Sequence, residues 1–323
     1  MLEESSFGLH SKGPQGAAWR GRIVCPGRCE RHRVHGAHFR DGSIPGLAAR
    51  SDSGIARRLA GGGGGRMGLP RPIRRLSAMP TTLTYQAAEA GGVTFGRCHL
   101  ASDSGVNPLS THVVAEFRAL MRTLDHDRPP HALVISAEGR SFCAGADLKE
   151  FRGFDTAAFR AYMADVLAMY LEMIELRKPI VCLVHADARG GGAALALCSD
   201  FVVCADSARF ALPEAHRGLA GGGYLMPRLV GKQRAAEFVL LGREVSAGQM
   251  LQWGLVNEVC ASSELAGRGA ALCDELARIP AGAFAVGKQS LAAGLSVGLR
   301  EAMARHVEAQ TEAFVSARAH GLV

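Results

Sequence analysis

The sequence predicts an α/β fold in which strands are covered by helices, followed by a mainly helical C-terminal region. Three observations carry this. Strand-length and helix-length apolar patterns alternate from Leu83 onward. The runs Ala132–Ser136, Pro179–Val184 and Phe201–Ala205 are short and apolar, so they read as buried strands. After about Glu264 the pattern becomes helical.

The elements follow in order. Strand character begins at Leu83, just after Met79-Pro80-Thr81-Thr82, and Gly92–Leu100 reads as a second strand. Asn107-Pro108-Leu109-Ser110 is expected to open a helix running to about Asp125, with Val114, Phe117, Leu120, Met121 and Leu124 on one face. Residues 155–175 are helical by period and propensity. No apolar run approaches the roughly 18 residues that suggest a membrane span, so no membrane partner is expected.

Residues 1–78 differ from the rest. They are rich in Gly and Arg, contain five consecutive glycines (61–65) and show no sustained apolar period. Such a segment buries too little surface to offset its ordering entropy, so disorder is expected. It lacks the apolar core of a secretory signal. An Arg-rich organelle leader, a basic tail, or sequence upstream of a true start at Met67 or Met79 all fit it. The segment holds 14 Lys and Arg against 5 Asp and Glu, whereas the remainder holds 23 against 25. The formal charge of +7 therefore belongs to this segment, and nucleic-acid binding by the folded part is not expected. Cys25, Cys29, His32 and His35 have donor types that suit zinc, but the tight spacing and the lack of surrounding apolar residues read as a chance cluster. No metal site is expected. The nine cysteines show no disulfide-rich spacing and fit buried thiols in a reducing compartment.

Two loops carry the chemistry. Residues 139–150 follow one apolar strand and precede a helical stretch, and Ala144, Gly145 and Ala146 let a ligand approach the backbone closely. Residues 188–200 follow the next strand, turn at Gly190-Gly191-Gly192 and open an apolar helix. Each loop presents N–H groups at a helix N-terminus, and two converging donors stabilise a developing enolate oxygen. The chain has no phosphate-loop lysine motif, and the glycine triplet lacks dinucleotide-binding spacing.

Together the runs GRSFCAGADLKEF, RKPIVCLVHADARGGGAALALCSDFVVCADSARFALPE and LVGKQRAAEFVLLGREVSAGQMLQWGLVNEV resemble the enoyl-CoA hydratase/isomerase (crotonase) superfamily. The likeness covers about Gly92 to Val259, and more loosely the remainder. It implies a crotonase-like spiral of ββα units in 79–263, a helical oligomerisation region in 264–323, and a homotrimer or hexamer. It also implies an acyl-CoA substrate. Coenzyme A enters as part of the thioester, and no tightly bound cofactor is expected. The backbone N–H groups of Ala146 and Gly191 fall on the family's oxyanion donors. Ala144, Ala146, Asp147, Leu148, Lys149, Gly190 and Gly191 fall on substrate-binding positions. Lys149 reaches a CoA phosphate or is a solvated helix residue, and Lys288 more weakly resembles a second basic contact.

Family hydratases carry two glutamates. Here the first position is Ala194, and only the second, Glu214, is present. Syn-addition of water uses one group to handle the water and another to supply the α-proton. The expected chemistry is therefore isomerisation of an enoyl-CoA with Glu214 carrying the proton. The alternatives are a hydratase or decarboxylase with a substitute second group, or a non-catalytic acyl-CoA-binding member. Arg189 stands where the family has an aliphatic residue, and either recognises a substrate carboxylate or faces solvent. His185 reads as a strand-end residue rather than a base. His216, two residues from Glu214, need not face the same way. Residues 100–103 lack the usual Asn-Arg-Pro, the stretch after Glu214 is short, and the chain ends where many relatives continue into a further helix. Pocket and lid are therefore expected to differ from theirs. A cytoplasmic location is expected, or the mitochondrial matrix if 1–78 is a leader.

Overall fold

The computed structural model describes residues 81–90, 93–124 and 129–322. The basic segment 1–78, with its Cys/His cluster, lies outside the described residues.

The chain enters through β1 (Thr82–Ala90) and β2 (Val93–Ala101), paired antiparallel with Thr82 opposite Ala101. Next come α1 (Thr111–Thr123), β3 (Ala132–Ala137), β4 (Ser141–Cys143), α2 (Leu148–Phe151) and α3 (Thr156–Glu175). The middle of the chain runs β5 (Ile180–Val184), β6 (Asp187–Arg189), α4 (Gly191–Leu197), β7 (Phe201–Ala205), β8 (Arg209–Ala211), a 3₁₀ turn at Pro213–Arg217 and α5 (Met226–Val239). It closes with β9 (Val245–Ser246), α6 (Ala247–Gln252), β10 (Glu258–Cys260), α7 (Leu265–Leu276), α8 (Ala281–Ser296) and α9 (Leu299–Ala319).

Three successive passes each lay one strand in a larger sheet, one in a smaller sheet, and then a helix. The larger sheet has the order β1-β2-β3-β5-β7-β10 and the smaller β4-β6-β8-β9. This is the expected spiral of ββα units. It brings the ends of β4, β6 and β8 side by side, with Ser141 beside Asp187, and Ala188 and Arg189 beside Phe210 and Ala211. The two glycine-containing loops and Glu214 all leave from these three ends.

The core between the layers is apolar and continuous, running from Leu100 and Phe117 through Ile135, Phe142 and Met169 to Leu195 and Phe210. α4 lies within it, with Gly192 through Leu197 buried. Only small residues permit this approach, since a Cβ on Gly192 would lie 2.3 Å from the Cys143 carbonyl oxygen. On the other face of the larger sheet, Cys273 and Leu276 of α7 pack against Phe95, Ala132 and Val181.

One element differs from expectation. α1 begins at Thr111 rather than at Asn107, capped by the Ser110 hydroxyl, which accepts from Val113 N. Asn107 has φ 48°, the left-handed region, and is completely buried. Its Nδ2 donates to the carbonyls of Glu138, Ser141 and Phe142, and its Oδ1 accepts from Ser102. It anchors the β3–β4 connection to the segment entering α1 and takes no part in the helix.

Candidate active site

The first loop is fixed against Leu109. Leu109 N donates to the Gly145 carbonyl at 2.8 Å, and Asp147 N donates to the Leu109 carbonyl at 3.3 Å. In a ladder, successive backbone groups point to alternate sides. The Ala146 N–H therefore faces away from Leu109. Tyr162 of α3 donates to the same Leu109 carbonyl at 2.8 Å and locks the arrangement from behind. Asp147 then caps α2, accepting from Lys149 N.

The second loop meets the first at Gly145. Gly190 has φ 53° and ψ −125°, its N–H is bound to the Ala211 carbonyl, and the N–H of Gly191 opens α4. A Cβ on Gly145 would lie 2.7 Å from the Arg189 oxygen and 2.8 Å from the Gly191 nitrogen. The two loops therefore pack backbone against backbone. Tyr170 of α3, two turns beyond Tyr162, donates to the Gly191 carbonyl at 2.7 Å. Among the described residues, neither the Ala146 nor the Gly191 N–H has a protein acceptor. Two free N–H groups on touching, braced loops suit an oxyanion that forms during reaction.

Glu214 stands beside them. Its Oε1 faces Gly190, where a Cβ would come within 2.9 Å, and on its other side a Cβ on Gly221 would lie 2.7 Å from Cδ. Both neighbours must lack a side chain for the carboxyl to fit. The Oε2 is buried with no hydrogen-bond partner among the described residues. Burial pushes the Glu214 carboxyl above its ordinary pKa, opposed only by its own backbone amide. A carboxyl held by burial above its ordinary pKa is suited to exchange a proton with a bound ligand. Ala194, one turn into α4, is 7% exposed and offers a methyl where a second carboxylate would stand.

Residues 97–321 match the family model described as enoyl-CoA hydratase/isomerase. The chain belongs to the enoyl-CoA hydratase/isomerase family. Over 226 residues it is 30% identical to a protein of Rhizobium meliloti (strain 1021) named a probable enoyl-CoA hydratase, covering 69% of this chain and 85% of that one. Over 193 residues it is 31% identical to 1,2-epoxyphenylacetyl-CoA isomerase of Escherichia coli (strain K12), covering 58% and 74%. Among solved structures, an enoyl-CoA hydratase from Bacillus anthracis superposes with a TM-score of 0.67 at 25% identity, covering 76% of this chain and 95% of that one.

This family member brings together the predicted Ala144, Gly190, Gly191, Ala146, Asp147 and Glu214. Leu148 and Lys149 lie exposed on α2 at the edge of the site, and Lys149 makes no ion pair among the described residues. Two other basic residues depart from expectation. Lys288 is 6% exposed and donates to Asp200 Oδ2 at 2.7 Å and to the Lys178 carbonyl at 3.1 Å, so it is an internal tie and not a nucleotide contact. Arg189 neither faces a ligand nor points freely to solvent. It pairs with Asp187 at 2.9 Å and with Glu244 at 2.5 Å, bracing β6 against the approach to β9.

The histidines read as expected. His185 Nε2 binds the Gly139 carbonyl at the start of the first loop. His216 Nε2 binds the Leu241 carbonyl, turned away toward Gly242. Sequence reasoning missed Asn107, Tyr162 and Tyr170. The tyrosines carried a usable signal, since their spacing of eight places both hydroxyls along one side of an amphipathic helix. Asn107 carried none, because its role depends on a backbone turn that no local pattern marks.

Proposed function

We propose that this chain moves a proton between carbons of an enoyl-CoA thioester, shifting its double bond, with Glu214 as the single proton carrier. The observation that supports this most is the pairing of Glu214 with Ala194. One carboxyl of raised pKa lies against Gly190, beside the two free N–H groups, and the position where family hydratases carry a second glutamate holds only the methyl of Ala194. The thioester oxygen takes the Ala146 and Gly191 N–H groups. Glu214 removes a proton from the carbon next to the double bond, and the resulting dienolate charge rests on that oxygen. The same carboxyl returns the proton at the far end, which restores the neutral thioester. Exposed Lys149 is a point charge for a phosphate of the CoA moiety.

A second reading is hydration, favoured by the name of the Rhizobium relative and by that of the Bacillus structure. It requires another residue to hold the water. The test incubates the protein with 2-enoyl-CoA and 3-enoyl-CoA in deuterated water and follows products by mass and NMR. Carbon-bound deuterium with double-bond migration, abolished by Glu214→Gln, is expected. Efficient formation of 3-hydroxyacyl-CoA would replace this reading with hydration.

Two further properties are proposed with the activity. A trimer or dimer of trimers is supported by the apolar residues α8 and α9 leave open, among them Leu291, Leu299, Met303, Val307 and Phe314. A mass near that of one chain in light-scattering chromatography would exclude it. A cytoplasmic location is supported by seven cysteines that are all free thiols among the described residues, as suits a reducing compartment. Fractionation that recovers the protein in an oxidising compartment would exclude that location.

A further inference from the structure

Arg189 ends β6, one residue before the Gly190 turn that presents the Gly191 N–H. In the smaller sheet it pairs with Ala211 of β8. β8 in turn runs antiparallel to β9, with Arg209 opposite Ser246 and Phe210 opposite Val245. One step further in that register, Ala211 comes level with Glu244. Residues 189, 211 and 244 therefore form one row across the end of the sheet, and their side chains share a face.

One guanidinium bridges this row. Arg189 Nε and Nη2 donate to Asp187 Oδ2 at 3.2 and 2.9 Å, and Nη2 also reaches Glu244 Oε2 at 2.5 Å. The middle of the row is an alanine, too short to obstruct the crossing. Asp187, two residues back on the same strand, points to the same face and aims the fork.

The bridge joins the two halves of the site. On one side the Gly190 N–H donates to the Ala211 carbonyl at 2.8 Å, so the pairing of β6 with β8 continues into the turn before Gly191. On the other side Glu214 follows Ala211 by three residues, and the segment before Glu244 lies against the turn that carries it. His216 Nε2 donates to the Leu241 carbonyl at 2.8 Å, and a Cβ on Gly242 would lie 3.1 Å from the Pro213 Cα. Movement of 241–244 is therefore passed to Pro213 and His216, on either side of Glu214 in the chain.

The Asp187, Arg189 and Glu244 side chains are 35%, 40% and 46% exposed, and ion pairs so open to solvent add little to stability. Reaction rates are far more sensitive than stability to small displacements of the reacting groups.

We propose that Arg189 is a positioning residue, whose bridge to Glu244 holds the Gly191 N–H and the Glu214 carboxyl at a fixed separation. The proposal rests on the reading of these two groups as oxyanion donor and proton carrier.

The test compares the full chain with Arg189→Met, Glu244→Gln and the double variant, following 3-enoyl-CoA isomerisation and thermal unfolding. Each single variant is expected to lower kcat about tenfold, the share of a 10²-fold loss per ~1 Å that a shift of about 0.5 Å gives. KM is expected to change less than kcat, and Tm by no more than a few degrees. The double variant should be no slower than the slower single one, since both substitutions break one bridge. Arg268→Gln removes a comparably exposed pair with Glu258 on the larger sheet and should leave kcat unchanged. Single variants within about twofold of the wild-type kcat, additive losses in the double variant, or an equal loss in Arg268→Gln overturn the proposal. A wild type that turns over neither 2-enoyl-CoA nor 3-enoyl-CoA overturns the functional reading instead. Amide hydrogen exchange then decides the bridge: faster exchange in Arg189→Met confined to 188–197 and 212–218 upholds it, and unchanged exchange there overturns it.

Discussion

A single methyl at Gly145 tests whether the two loops form one oxyanion site. In Gly145→Ala the new carbon would stand 2.7 Å from the Arg189 oxygen and 2.8 Å from the Gly191 nitrogen. Both are backbone atoms, so no side chain can rotate away. Ordinary contact begins at 3.4 Å, so the loops must part by about 0.7 Å. That displacement acts on the Gly191 N–H, and misplacement of about 1 Å can cost 10²-fold in rate. Loss of one oxyanion donor costs about 10²–10³ in kcat. The methyl must also tolerate φ 80°, which adds a stability cost of about 1 kcal/mol. The expected result is kcat for 3-enoyl-CoA isomerisation lowered about 10²-fold, with a modest drop in Tm and KM changed far less. A folded variant with kcat within threefold of wild type would show that Gly191 N–H is not a donor in the reaction.

Glu214→Gln should abolish proton transfer yet stabilise the fold. The carboxyl's folded pKa lies above its unfolded value of 4.5, so ionisation is penalised in the folded state. The variant should therefore have a higher Tm than wild type at neutral pH, with the gap closing below pH 4.5. A Tm below wild type at pH 7 would contradict the buried, unpartnered carboxylate. In the wild type, kcat/KM should fall on acidification through a midpoint above 4.5, and a midpoint at or below it would refute the raised pKa. Tyr170→Phe removes the hydroxyl on the Gly191 carbonyl and should lower stability by about 1 kcal/mol in a denaturation series, and kcat by about tenfold. An unchanged kcat would show that Gly191 is held without it. Lys288→Met leaves Asp200 buried without its cation and should cost about 3–5 kcal/mol, largely recovered in the double variant with Asp200→Asn. A loss of CoA affinity at unchanged stability would instead restore Lys288 as a nucleotide contact.

The strands and helices were legible wherever burial imposes a period. The runs at 132–136, 179–184 and 201–205 appear as β3, β5 and β7 within one residue at each end. The loops were legible because a close backbone approach leaves glycine and alanine behind. Polar side chains whose partners lie far along the chain were not legible. Arg189 finds Glu244 across 55 positions, and Lys288 finds Asp200 across 88. In the sequence Arg189 reads as facing either a substrate carboxylate or solvent, and Lys288 as a weaker basic contact, because a charge looks available until its distant partner is known.

The division of labour in this site explains how Ala194 is tolerated. On the proposed reading the oxyanion donors are main-chain groups, held by Asn107, Leu109, Tyr162, Tyr170 and the absent Cβ of Gly145. None of these braces is the side chain at 194, which lies in α4 and donates its N–H to the Gly190 carbonyl as any residue there would. A carboxylate can therefore be lost from that position without loosening the donors. The reverse does not hold for Glu214. Gly190 and Gly221 are shaped around its carboxyl, and a larger side chain at either would strike it. The walls that stabilise charge are thus independent of the second proton carrier and committed to the first. On that reading, chemistry that needs one movable proton can proceed on this scaffold without a carboxylate at position 194.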